Sequence, residues 1–222
     1  MQKFSYLFTL LLAASVIFSS CSDDDDDNGS IPDPPTYEGV PIGSIDGVSI
    51  RWATRNVAAP GTFAPTPESA GMFFQWNRRT GISVTTPAAG VPVENWNASP
   101  AEGTMWYAEN DPCPEGWRVP TLAELTALHN EEHEWTTRNG IRGRYFGTAP
   151  NRIFLPASGG RSHNTGALQN VGTWGNYWSS TADDGVGFAR DLHFNNSSVS
   201  VFGWGWRSLG RSVRCVAKQQ QD

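Results

Sequence analysis

Asp111-Pro-Cys-Pro-Glu-Gly-Trp-Arg-Val-Pro-Thr-Leu-Ala-Glu-Leu125 joins a cysteine, a tryptophan and a helix start in one stretch. Thr121-Leu-Ala-Glu124 has capping-box spacing. The threonine hydroxyl can accept the amide proton of residue 124, and the glutamate can return to the amide of residue 121. Pro120 blocks an earlier start. Leu122, Leu125 and Leu128 then share a face, which predicts a helix from Thr121 that fades over His129 to Glu132.

Downstream, Asn139-Gly140 is a turn signal. Arg152-Ile-Phe-Leu-Pro156 and Tyr177-Trp-Ser-Ser180 have the composition of short strands. Phe188-Ala-Arg-Asp-Leu-His-Phe194 and Val199-Ser-Val-Phe202 flank Asn195-Asn-Ser-Ser198, a hairpin pattern with a polar turn. Ser212 to Val216 is read as the closing strand. Upstream, Val48 to Ala53 alternates like a strand, and Ala70 to Trp76 is a second candidate. Residues 85–104 are rich in Pro, Gly, Ala and Asn and read as loop. One helix among hairpins predicts the α+β class.

The N-terminus is an address. Lys3 precedes an apolar run from Leu7 to Phe18, too short for a membrane span and of signal-peptide length. Ser19 and Ser20 before Cys21 resemble a bacterial lipobox, which implies cleavage after residue 20 and lipid on Cys21. Asp23 to Asp27 and the proline-rich Ile31-Pro-Asp-Pro-Pro35 cannot bury apolar surface and read as a tether over residues 21–39. An acidic block after a lipidated cysteine also resembles the surface-export signal of Bacteroidetes-type lipoproteins. The expected location is therefore the outer membrane, facing outward. The membrane is touched through the lipid alone.

The whole chain has net charge −6, with 16 basic and 22 acidic side chains. Loss of Lys3 with the signal peptide and exclusion of the five aspartates leave the folded part at about −2, with no basic field for nucleic acid. Residues 40–218 suffice for one domain with a sizeable core, followed by a frayed tail at 219–222. All ten tryptophans lie between Trp52 and Trp206. Core packing accounts for most of them, and stacking on sugar rings is the alternative.

Trp52-Ala-Thr-Arg-Asn-Val57, Cys113-Pro-Glu-Gly-Trp-Arg-Val-Pro-Thr121, Leu155-Pro-Ala-Ser-Gly159, Tyr177-Trp-Ser-Ser-Thr181 and Ser212-Val-Arg-Cys-Val216 together resemble the FISUMP domain, the major paralogous domain of Fibrobacter. Arg118 to Glu124 also resembles a helix start in the formylglycine-generating-enzyme superfamily. The two resemblances imply a C-type-lectin-like fold with twisted antiparallel sheets, one or two helices and long irregular loops. With Cys21 lipidated, Cys113 and Cys215 remain as a disulfide pair in a compartment that permits oxidation. Arg118 and Arg214 sit among apolar neighbours, where an ion pair or bonds to loop carbonyls would satisfy them.

The resemblance does not carry the superfamily's chemistry, because no further cysteine pair is left for an active site. No nucleophile elbow, P-loop or dinucleotide fingerprint occurs. The expectation is a non-catalytic protein without cofactor or metal that binds a glycan or protein ligand; the alternatives are a structural component of a surface assembly and, behind it, an enzyme related to the formylglycine-generating enzymes. His129 and His133 are four apart and would share a helix face if the helix reached both. Glu109-Asn110-Asp111 offers clustered oxygens, but also turns the chain into Pro112. The long loops resemble a lectin's variable face: Arg161 to Trp174, Gly203 to Arg207, and Asn95 to Trp106. Gly203-Trp-Gly-Trp-Arg207 is the most unusual of these. Trp204 and Trp206 either expose their rings to a glycan or protein ligand or close the core beneath the hairpin. Arg207, His163 and Asn164 are the candidate polar partners.

Overall fold

The computed structural model describes residues 39–219. The signal segment, Cys21, the aspartate block and the last three residues lie outside the described residues.

The strands are β1 (Val40–Ile45), β2 (Val48–Trp52), β3 (Trp117–Arg118), β4 (His133–Arg138), β5 (Ile141–Thr148), β6 (Asn151–Pro156), β7 (Gly160–Arg161), β8 (Leu168–Gln169), β9 (Gly175–Ala182), β10 (Phe188–Phe194), β11 (Val199–Ser200), β12 (Trp204–Trp206) and β13 (Val216–Ala217). The helix α1 spans Leu122–His129. Among the described residues, short antiparallel sheets around one short α-helix place the fold in the α+β class.

Three sheets carry the architecture. One has the order β1-β2-β13-β3. In it Val216 pairs with both Trp52 and Arg118, so the C-terminal segment lies between the first hairpin and the strand before the helix. A second sheet is the meander β4-β5-β6. In the third, β10 pairs with β9 on one side and with β11 and then β12 on the other.

Two buried clusters fill the space between them. The first gathers Trp52, Leu125, Leu128, Phe146, Leu155, Tyr177 and Phe194. The second is richer in rings: Phe74, Trp76, Trp106, Trp117 and Trp178 surround the Cys113–Cys215 disulfide, whose sulfurs are 2.07 Å apart. Five of the ten tryptophans are buried, at 52, 76, 106, 117 and 178.

The opening segment folds as a self-satisfied unit. The Thr121 hydroxyl accepts from the Glu124 amide at 3.2 Å, and the Glu124 carboxylate accepts from the Thr121 amide at 2.7 Å. The same carboxylate receives both terminal nitrogens of Arg118, at 2.6 and 2.8 Å. Upstream, the Asp111 carboxylate accepts from the amides of Cys113 at 2.9 Å and Val119 at 3.0 Å, fixing the loop that presents the cysteine.

Three sequence expectations change. Ala70 to Trp76 forms no strand, and only Phe73 and Phe74 make isolated bridges, to Ile82 and Arg211. Gly71 has φ +71° and lies so close to the Val57 carbonyl oxygen that a side chain there would collide with it. Beyond Glu132, where the helix was expected to fade, the chain forms β4 and a long hairpin with β5 about Asn139-Gly140. The closing strand at Ser212 to Val216 shortens to β13, and Ser212 makes only an isolated bridge to Tyr177.

Long loops without ladders leave many carbonyls to satisfy, and buried arginines do much of that work. Arg161, fully buried, donates to the carbonyls of Ser83, Thr86, Pro87 and Gly166. Arg214 donates to Asn56 Oδ1 and to the carbonyls of Ala53 and Phe154. Burial pulls its guanidinium pKa down to about 10, so it stays charged at neutral pH.

Candidate functional site

The third sheet has a buried face and an exposed one, and β12 shows why. Along a strand, successive side chains point to opposite faces. Gly205 points inward, where Arg211 needs room: a Cβ there would sit 2.7 Å from the guanidinium carbon. Arg211 lies over the Trp178 ring at 4.6 Å and forms an ion pair with the buried Asp191 carboxylate. Burial pulls the Arg211 pKa down to about 9, still above neutrality, so the pair remains ionised. An inward glycine requires the residues on either side to face outward. Trp204 is 55% exposed and Trp206 42% exposed.

These two rings are part of a platform. Phe188 stands opposite Trp206 in the ladder, and its ring centroid is 4.1 Å from Trp206 and 4.3 Å from Trp204. His163 stacks on Trp206 at 5.4 Å with an interplanar angle of 22°. The three loops named from the sequence converge here. The Trp96 indole donates to the His163 carbonyl at 2.9 Å, and the Arg207 Nη1 donates to the carbonyls of Ala101 and Gly103 at 2.9 and 2.8 Å.

The candidate residues divide into two groups. Trp204, Trp206 and His163 present rings at the surface, so the alternative that the two tryptophans close the core does not hold. Asn164 is exposed beside them, its Oδ1 accepting from the Ser162 hydroxyl at 3.3 Å. Arg207 differs. It is 7% exposed, its Nε donates to the Phe188 carbonyl at 2.9 Å, and its guanidinium lies 4.3 Å over the Trp76 ring. Three of its donors serve the loops beneath the platform, so it helps to position the site.

Phe188 was not legible as a platform residue. Its membership depends on pairing register with a strand whose tryptophans are separated by a glycine. The Trp174–His193 contact, at 6.1 Å, extends the aromatic surface along β10. His193 Nδ1 is 2.9 Å from Asp191, and burial pulls the imidazole pKa below its ordinary value.

Helix α1 ends at His129 and His133 opens β4, so these two histidines share no helix face. His133 Nδ1 meets Arg144 at 3.0 Å. Asp111 has both carboxylate oxygens engaged by amides, and burial outweighs those donors to raise its pKa. Among the described residues no group of three or more His, Cys, Asp or Glu side chains is placed to hold a metal ion. No described helix is long and apolar enough to cross a membrane.

No family model, curated protein or solved structure matches this chain.

Proposed function

We propose that this is a non-catalytic, lipid-anchored envelope protein that displays a FISUMP-type, C-type-lectin-like domain at the cell surface. Its role is to bind a glycan or protein ligand through its long loops, with a glycan favoured. One observation carries this reading: of ten tryptophans, Trp204 and Trp206 are the exposed pair, and they stand side by side on one face with Phe188 and His163.

Keeping two tryptophan rings about half exposed forgoes part of the roughly 1.5–3 kcal/mol that full burial of a large apolar side chain supplies. A flat apolar face flanked by polar groups suits the C–H face of a pyranose, while hydroxyls at the ring edge find hydrogen bonds. A broad glycan array tests the proposal. The protein is expected to be retained by a subset of glycans, and Trp204→Ala and Trp206→Ala are expected to lose that retention with little change in melting temperature. Retention by none, or retention that survives both substitutions, rejects the platform as a glycan site. Capture of a protein ligand by the same two rings would redirect the reading to protein recognition.

A further inference from the structure

The platform continues into a pocket of about 470 Å³ lined by Pro100 to Thr104, Ala182 to Gly187, and Arg207. Gly187 joins the two: a Cβ on it would lie 3.5 Å from Pro100 and 3.8 Å from the Trp206 ring. The ionisable side chains of this pocket are Glu102, Asp183 and Asp184, against Arg207 alone. Arg207 gives its donors to three backbone carbonyls. Asp183 is paired with Arg190 at 2.7 Å, and its other oxygen accepts from the Gly185 amide at 3.0 Å. Glu102 and Asp184 are exposed, and neither carboxylate has a salt-bridge partner among the described residues.

Exposed rings that border, through Gly187, a pocket with two unpaired carboxylates complement a cation on an otherwise flat ligand. The ring faces attract an ammonium group as well as sugar C–H bonds, and the carboxylates accept its protons. Three carboxylates against one guanidinium leave the pocket net negative, which disfavours an anionic sugar. Resting on the glycan reading above, we propose that the ligand is an amine-bearing hexosamine chain, its rings stacked on Trp204 and Trp206 and its ammonium groups at Glu102 and Asp184.

Isothermal titration of the protein with glucosamine hexamer, N-acetylglucosamine hexamer and hexalysine tests this. The amine-bearing hexamer is expected to bind more tightly than its acetylated counterpart. The Glu102→Gln/Asp184→Asn double variant should weaken the amine-bearing ligand by about fivefold, the scale of exposed ion pairs, and leave the acetylated one unchanged. Both carboxylates are exposed, so the variant should melt with wild type. The Asp23–Asp27 block is common to both proteins, so any general attraction to cations cancels in the comparison. Equal binding of the two hexamers, or indifference to the double substitution, overturns the amine preference and leaves the glycan platform standing. Binding of neither hexamer overturns the hexosamine assignment and leaves the glycan platform to the array. Hexalysine binding with the same residue dependence overturns the carbohydrate and assigns the pocket to basic peptides.

Discussion

Asp111–Leu125 and Phe202–Arg207 are both unusual in sequence, and they dispose of their side chains in opposite ways. In the first, Trp117 is buried, Cys113 is bonded to Cys215, Arg118 is bonded to Glu124, and Asp111 holds two amides. In the second, Phe202 is 78% exposed, and only Gly205 and Arg207 turn inward. The first region is spent on stability and has little left to offer a ligand. The second keeps its largest apolar groups in water, an arrangement that folding alone does not favour.

Breaking the disulfide should produce the largest difference between the two. It spans a sequence separation of 102 residues. On the chain-entropy view, Cys113→Ser/Cys215→Ser should cost about 4.7 kcal/mol in denaturant unfolding. Any glycan retention that survives at low temperature would show the platform to be independent of the clamp.

Glu124→Ala should come next, at about 2–3 kcal/mol, because it removes a cap and strands Arg118. Burial pushes the Glu124 carboxyl up, but Arg118 and the Thr121 amide outweigh it and hold the pKa below its ordinary value. A carboxyl depressed in the folded state stabilises above its unfolded pKa. That contribution is fully present above the ordinary value of 4.5 and is lost as pH falls through the lower folded value. Unfolding followed from pH 6 downward should therefore show a shallower acid limb in Glu124→Gln than in wild type.

Gly205→Ala should cost about 1–3 kcal/mol, the scale of overpacking, by pressing on Arg211. A thermal melt reads this directly, and an unperturbed melt would mean that Arg211 has room to move. Trp204→Ala and Trp206→Ala should have the smallest effect on stability, within about 0.5–1 kcal/mol. Buried Trp178→Ala should cost about 3–5 kcal/mol in the same assay. If the exposed and buried tryptophans cost the same, the contrast between the two regions fails.

The contrast was partly legible in the sequence. Thr121 and Glu124 reveal the helix start because a capping box is local, set by residues three apart. The Phe188–Phe194 hairpin was legible for a similar reason, since alternation and a polar turn are contained in one stretch. β4 was not: His133-Glu134 follows a helix with acidic neighbours, and an edge strand buries too little to show a clear period. Ala70 to Trp76 failed in the other direction, because its apolar residues follow a glycine pressed against Val57. The exposure of Trp204 and Trp206 depends on Arg211 claiming the space beneath Gly205. That contact is made through register and burial, and Trp-Gly-Trp reads the same whichever way its rings point. The role of Arg207 was hidden because its acceptors are carbonyls far away in sequence, at Ala101 and Gly103.

The link between Cys113 and Cys215 also bears on force. At about 3.4 Å per extended residue, the segment between them holds some 340 Å of chain that a pull on the two ends of the protein cannot draw out. A load entering at Val40 meets β1 and β2 and then, through Trp52 and Val216, the bonded strand. β9 to β12, with the aromatic platform, lie wholly inside the covalent loop. A pull on the two ends of the chain would therefore load the first hairpin, while the loop that carries the platform cannot be extended from its ends.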